Sequence, residues 1–335
     1  MIFQNCVQDQ LPLYEPAITS LTLQSYSESW LQSYGEFLKP ATLKAYRESL
    51  RNHILPSLGT FPLRSIRRPA VIEFVAELKK KGLSVNSMRL VHATLRVILN
   101  NAIDDGVLAA NPAQKLGKLL KRTTPGANVT PLTAEELTVF LTTIREKFPA
   151  WYALFLTLAR TGLRLGEALG LQWQDINFDS RFIEVRRTVG AGRIGSPKSG
   201  KSRTVDMSRQ LSGVLHEHLK NRSDEAAEKG WNEFPPWVFC NSIGTVMNAD
   251  NLRGRIFYPA VQLAGLRKFR IHDLRHTFAT LLIQNGESLA YIRDQLGHHS
   301  IQVTVDIYGH LARGGNRAAV DRLDDTGLEY SRAVA

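Results

Sequence analysis

The stretch "GHHSIQVTVDIYGHL", residues 297–311, holds one tyrosine, Tyr308, ten residues after His298. A tyrosine near a helix end is ordinarily a half-buried aromatic. It becomes a nucleophile only if the rest of the chain supplies groups that activate a phenol whose ordinary pKa is about 10. Gly297 ends the apolar-periodic segment "LAYIRDQL" and leaves His298 and His299 at its C-terminal end. The meaning of Tyr308 therefore depends on what lies upstream.

Composition sets the bounds. A chain of 335 residues can form one or two domains with real cores. Its 43% hydrophobic and 22% charged residues are ordinary for a soluble globular protein. The two cysteines, Cys6 and Cys240, argue against a disulfide framework and for a reducing compartment. The longest apolar run, "WYALFLTLA" at 151–159, is too short to span a bilayer. The leading "MIFQNCVQDQLP" lacks the basic and apolar regions of a signal peptide. A cytoplasmic protein with no membrane partner is expected. The formal net charge is +11, and the excess is uneven. Residues 1–125 carry 16 basic and 9 acidic side chains, whereas 126–335 carry 26 and 22. Such a balance points to a polyanionic partner, nucleic acid first.

The hydrophobic pattern divides the chain. Residues 1–20, with Pro12 and Pro16, show no periodicity and are expected to be a leader. Residues 21–120 have helical periodicity. "PATLKAYRESLRNHIL" puts Leu43, Tyr46, Leu50 and Ile54 on one stripe, with Pro56 and Gly59 expected to end the helix. "RRPAVIEFVAELKKKG" has Pro69 at a helix start and Gly82 past its end. Ser84 is placed to cap a helix that stops at Gly106, with Val85, Met88, Val91, Leu95, Ile98 and Ala102 on its buried face. An aperiodic linker follows at 121–131. A larger domain, 132–335, opens on a Thr133–Glu136 capping box. Within it, "FIEVRRTV" (182–189) and "SRTVDM" (202–207) predict a β-hairpin across a Gly-rich loop. The expected fold is thus an all-α bundle joined to a mixed α+β domain, mainly α with a small antiparallel sheet.

Four islands in the larger domain can carry chemistry. In "ARTGLRLGEALGL" (159–171), Gly162 breaks a buried helix and Arg164 starts the next, one turn before Glu167. A surface Arg–Glu pair would be worth little, but an arginine in so apolar a segment must be paired or face a pocket. "SPKSGKSR" (196–203) offers Lys198 and Lys201 as mobile general acids, or simply a solvated basic turn. In "IHDLRHTFATLL" (271–282), His272 and Arg275 share a helix face. His272 and His276 also have metal-ligand spacing, with His298 or His299 as a third ligand, although Asp273 stands where a zinc-protease helix has Glu. The fourth island is the opening stretch. Arginine forks bind phosphate oxygens bidentately and keep their charge. Histidine can donate to a non-bridging oxygen or accept a proton. Lysine can protonate a leaving oxygen. No carboxylate cluster suited to Mg²⁺ is evident, so a site of this kind needs no metal and no cofactor.

In this order and spacing the islands resemble the tyrosine recombinases of the phage integrase family, over about residues 20–325. "TGLRLGE" matches the first arginine box, which would make Arg164 a phosphate clamp and Glu167 an orienting group. "PKSGKSR" matches the hairpin lysine box and favours Lys198 over Lys201. "HDLRHTFAT" supplies His272 and Arg275, "LGHHS" supplies His298, and "VDIYGHL" makes Tyr308 the nucleophile. The gap from His298 to Tyr308 is ten residues where nine is also common; His299 would restore nine, but "LGH" anchors His298. The helical region, including "LKPATLKAYRESLRNHILPSLG", resembles the family's core-binding domain, and a full arm-binding domain does not fit before it. The resemblance implies a clamp on double-stranded recombination sites and a homo-tetramer on DNA. It implies cleavage and rejoining through a 3′-phosphotyrosyl intermediate that integrates or excises an element, and leaves room for an accessory DNA-bending or directionality protein. The tail, 312–335, with Gly314 and Gly315 as a hinge, would dock on a neighbouring protomer. A single-strand relaxase of topoisomerase type, a zinc-dependent hydrolase built on the histidines, and a DNA binder without catalysis are the competing readings.

Overall fold

The computed structural model describes residues 21–117, 119–121, 130–190, 192–196, 202–231, 233–309 and 311. The leader, most of the linker, Lys198, Lys201 and the tail from 312 onward lie outside the described residues. The chain divides into two compact units, 1–125 and 126–335.

Among its described residues the first unit is helical: α1 (Leu23–Ser33), α2 (Pro40–Ser49), α3 (Leu55–Leu58), α4 (Arg68–Lys80) and α5 (Val85–Asp104). Their apolar faces close on Trp30, Phe74, Leu95 and Ile98. Both ends of α5 are held by side chains. Ser84 accepts from the Ser87 amide at 3.1 Å, the expected cap. At the other end Asp105 accepts from the hydroxyls of Tyr26 (2.5 Å) and Tyr34 (2.7 Å), and Trp30 Nε1 donates to Asn101 (2.8 Å). These bonds fasten α1 along α5. The expected buried face of α5 is buried except Val85, which is partly exposed.

Pro56 does not end its helix. Residues Leu50–Ile54 form a π-turn, and the helix resumes at Leu55 with Pro56 in its first turn. The Leu55 amide reaches back five residues to Leu50 O, which carries the ladder past Pro56 and its missing amide. The widened turn keeps the chain continuous as far as Gly59, whose amide closes on Leu55 O at 2.9 Å.

The second unit contains α6 (Ala134–Lys147), α7 (Tyr152–Thr161), α8 (Leu165–Leu169), α9 (Arg209–Glu228), α10 (Ala249–Leu252), α11 (Tyr258–Leu263), α12 (Ile271–Gln284), α13 (Leu289–Leu296) and α14 (Ile301–Tyr308). Two small antiparallel sheets lie between α8 and α9. The Thr133–Glu136 capping box starts α6 as expected. Edge-on contacts of Phe140 with Phe155, Phe257 and Phe269, at centroid distances of 5.5, 5.8 and 5.3 Å, mark the centre of the core.

The strands are β1 (Ile176–Asn177), β2 (Phe182–Val185), β3 (Thr188–Gly190), β4 (Arg193–Gly195) and β5 (Arg203–Asp206). The order in the larger sheet is β1-β2-β5, with Ile183 opposite Val205. The single hairpin expected from 182–189 is therefore two structures. β2 pairs with β5, while β3 turns back on β4. The break falls at Arg187, whose fork leaves the ladder for the buried Asp175 carboxylate (Nη1 2.6 Å, Nη2 3.2 Å). Pairing that buried charge outweighs continuing the strand. Among the described residues no helix is long and apolar enough to cross a membrane.

The turn from α7 into α8 is tightly packed. Gly162 ends α7 with φ of 62°. A Cβ there would lie 2.5 Å from Phe278 Cδ1 and 2.8 Å from Leu296 Cδ2. A left-handed non-glycine residue costs roughly 1–2 kcal/mol, and crowding in a packed core adds about 1–3 kcal/mol. Gly162→Ala should therefore lower the unfolding free energy of the full chain by about 2 kcal/mol or more in a urea titration. A change within about 0.5 kcal/mol, the range of ordinary surface substitutions, would mean that the turn relaxes freely.

Candidate active site

Arg164 stands just before α8, at the foot of the Gly162 turn. Its backbone amide donates to Glu167 Oε2 at 3.0 Å and its Nη1 to Glu167 Oε1 at 2.8 Å. This is not the surface pair considered from sequence, because the Glu167 side chain is only 1% exposed. A second arginine completes its coordination. Arg203, the first residue of β5, donates from Nη2 to Glu167 Oε2 (2.7 Å) and from Nη1 to Oε1 (3.2 Å). Burial alone would push the Glu167 carboxyl up, but the bonds and charges of Arg203 and Arg164 hold it down at about 2.

Arg275 on α12 joins the first island to the fourth. Its Nη1 donates to Gly162 O (2.8 Å) and its Nη2 to Leu296 O (2.6 Å), the two carbonyls that close α7 and α13. It is 2% exposed. Burial and the Arg164 charge lower its pKa to about 9, Glu167 opposes this, and at neutral pH it remains a cation. Arg203 Nε donates to Gln295 O at 3.0 Å, so β5 is tied to the same end of α13. Asp206 strengthens that tie by accepting from the Tyr291 hydroxyl at 2.7 Å.

His298 follows directly, half-buried, with Nδ1 2.9 Å from Thr304 Oγ1. Burial, then the Arg275 and Arg164 charges, lower its pKa to about 4. His272 opens to solvent, and its pKa is lowered by the surrounding bulk and by Arg275 and Arg164. Both imidazoles are neutral at physiological pH, so each offers one donor and one acceptor nitrogen. His299 is exposed.

Tyr308 ends α14 and is 1% exposed. It packs with Ala279, Ile292 and Leu296. Its hydroxyl lies 2.7 Å from His276 Nδ1. The expectation that nearby cations would make this phenol more acidic is reversed. Burial pushes it up to about 12, and Arg275 offsets that only in part. In this conformation Tyr308 is a core residue, held ready as a neutral phenol.

The histidine-metal arrangement does not assemble. His276 spends Nδ1 on Tyr308, and its ring meets His272 edge-on at 5.0 Å between centroids. Among the described residues no group of three or more His, Cys, Asp or Glu side chains is placed to hold a metal ion. Two participants were not singled out from sequence. His276 was weighed only as a ligand, and Arg203 was passed over within "SPKSGKSR". The strand period held the signal for Arg203. It shares a face with Val205, which is fully buried, so the same alternation turns an arginine inward.

Comparison with known proteins agrees with this arrangement. The sequence profile described as "Phage integrase family" matches residues 130–314, more than half of the chain. The chain belongs to the phage integrase family. "Phage integrase, N-terminal SAM-like domain" matches residues 22–79. The tyrosine recombinase XerC-like protein of Caldanaerobacter subterraneus subsp. tengcongensis is 29% identical, covering 91% of this chain and 83% of its own. The ICEBs1 integrase of Bacillus subtilis is 28% identical, with coverages of 86% and 78%. Among solved structures, the Tn1549 transposon integrase in complex with transposon right end DNA superposes with a TM-score of 0.75 at 26% identity, covering 90% of this chain and 99% of that one. This integrase-family chain is accordingly an enzyme of the tyrosine-recombinase type, with the helical and mostly helical α+β units of that fold.

The buried carboxylate carries a pH signature. Glu167 has a folded pKa of about 2, below the unfolded value of 4.5, so its contribution to stability is complete above the unfolded value. That contribution is lost as pH falls through the folded value. The stability gap between the native chain and Glu167→Gln should therefore be constant near neutrality and narrow from pH 4.5 toward about 2. Thermal midpoints across that window test this, and a gap independent of pH would remove the ion pairs as its source.

Proposed function

We propose that this chain cleaves and rejoins duplex DNA at specific sites, with Tyr308 as nucleophile, and so integrates or excises a DNA element. One observation carries the reading. Arg275 is fastened to the carbonyl of Gly162, two residues before Arg164, and to that of Leu296, two residues before His298, and the α14 helix ending in Tyr308 packs on the same α12–α13 pair. Two arginines from different elements suit the oxygens of one phosphodiester.

In the proposed reaction the Tyr308 oxygen attacks phosphorus and the bond to the 5′-oxygen breaks. A 3′-phosphotyrosine and a free 5′-hydroxyl result. Arg164 and Arg275 stabilise the charge on the non-bridging oxygens. A neutral histidine can take the phenol's proton, and Lys198 protonates the leaving oxygen. Attack of a 5′-hydroxyl on the phosphotyrosine reverses the step, so the phosphodiester energy is conserved and no nucleotide is consumed. The 1% exposure of Tyr308 requires α14 to shift before attack. Double-stranded recombination sites are the proposed partner, gripped by both units. A homo-tetramer carries out paired exchange, with the tail 312–335 linking neighbours. The net basic charge supports a polyanionic partner, and the Tn1549 integrase provides a DNA-bound relative of the same fold.

Tyr308→Phe should keep its affinity for a recombination site and form no covalent adduct on a nicked suicide substrate, assayed on denaturing gels. Adduct formation by that variant would assign the nucleophile elsewhere. Lys198→Ala should cleave poorly on ordinary DNA but near normally when sulfur replaces the leaving 5′-oxygen, because a thiolate leaves without a proton. Rescue of Lys201→Ala in place of Lys198→Ala would transfer the general acid to Lys201. Joint products from two marked duplexes separate a recombinase from a single-strand relaxase.

A further inference from the structure

We propose that Arg203 is a positioning residue for cleavage, which keeps Arg164 available to the scissile phosphate by sharing the charge of Glu167. The inference rests on the function proposed above. Arg203 is committed to Glu167 and to the end of α13 in this arrangement. Its Nη1 and Nη2 are both on Glu167, its Nε is on Gln295 O, and its side chain is 10% exposed. Arg164 differs in each respect. Its side chain gives Glu167 only Nη1 and is 30% exposed. Among the described residues, no hydrogen bond engages its Nε or Nη2, which remain for an anion.

The distribution follows from the cost of a buried carboxylate. An ionised side chain that is 1% exposed must have its lone pairs filled by donors. With Arg203 in place the bidentate fork meets most of that demand. Without it, Glu167 would draw the whole Arg164 fork inward, and the phosphate would lose a donor. The backbone accommodates Arg203 for this purpose. Gly297 has φ of 64°, and a Cβ there would lie 2.6 Å from Arg203 Cδ and 2.8 Å from Nε. The arginine thus lies across the end of α13, where only glycine leaves it room.

The test compares single-turnover adduct formation at saturating DNA in the full-length chain, with affinity for an uncleaved site measured separately. Arg203→Gln should bind the site normally and cleave about 10²-fold more slowly, the usual effect of removing one preorganised donor. Arg203→Lys restores the charge without the fork and should recover part of the rate. The double variant Glu167→Gln with Arg203→Gln decides the mechanism. Removing the carboxylate releases Arg164, so the double variant should cleave faster than Arg203→Gln alone. A purely structural salt bridge would leave the double variant as slow or slower, and that result would overturn the proposal, as would a wild-type rate in Arg203→Gln. If Arg203→Gln fails to fold, Arg203→Lys with and without Glu167→Gln supports the same comparison. Absence of any adduct from the native chain would instead overturn the proposed function, before any variant is compared.

Discussion

The buried carboxylate of Glu167 is the constraint on which the second unit's functional face depends. A charge with 1% exposure survives only if every lone pair is met. Here four donors meet it: the Arg164 amide, one nitrogen of the Arg164 side chain and two of the Arg203 fork. Those donors tie two elements to one carboxylate. The amide starts α8, the Arg164 side chain stands at its mouth, and Arg203 pins the first residue of β5. Arg203 then reaches Gln295 O, and Arg275 reaches Leu296 O one residue later. The end of α13 is consequently held by two guanidinium groups at successive carbonyls. That end is also a helix C-terminus, whose partial negative charge favours cations.

A cluster of three arginines around one carboxylate leaves an excess of positive charge, and the neighbouring groups respond. His298 is lowered to about 4, first by burial and then by the Arg275 and Arg164 charges, and His276 is also lowered to about 4, first by burial. Tyr308 shows the competing effect. Arg275 favours its phenolate, yet desolvation is the larger influence and pushes it up to about 12. Nearby cations therefore do not by themselves make a reactive phenolate when the phenol is packed against Leu296 and Ile292. Any lowering must accompany exposure, since water or a phosphate-bound environment solvates the anion that the core does not.

Two departures from local sequence rules have the same kind of cause. Pro56 ordinarily stops a helix, but a preceding π-turn, closed by the Leu55 amide on Leu50 O, carries the backbone past its missing amide. The run at 182–189 reads as one strand, but Arg187 leaves the ladder for Asp175. In the first case the local backbone adapts to the residue. In the second a buried charge calls a side chain out of register and ends the pairing.

The sequence by itself determined what depends on neighbours along the chain. Helix starts at Ser84 and Thr133, the Gly162 break, the Arg164–Glu167 adjacency and the four islands were all legible. Caps, glycine turns and the 3.6-residue period act within a few positions. The island motifs also carried the family. Only the tertiary structure decided how the islands share their partners. Arg203 meets Glu167 across 36 positions, Arg275 meets Gly162 across 113, and Tyr308 meets His276 across 32. No periodicity encodes such pairings, because they arise when buried polar groups in a finished core must each find a donor or acceptor. The same requirement turned Arg203 from a loop-end cation into a partner of the core carboxylate, and paired the buried Tyr308 hydroxyl with His276.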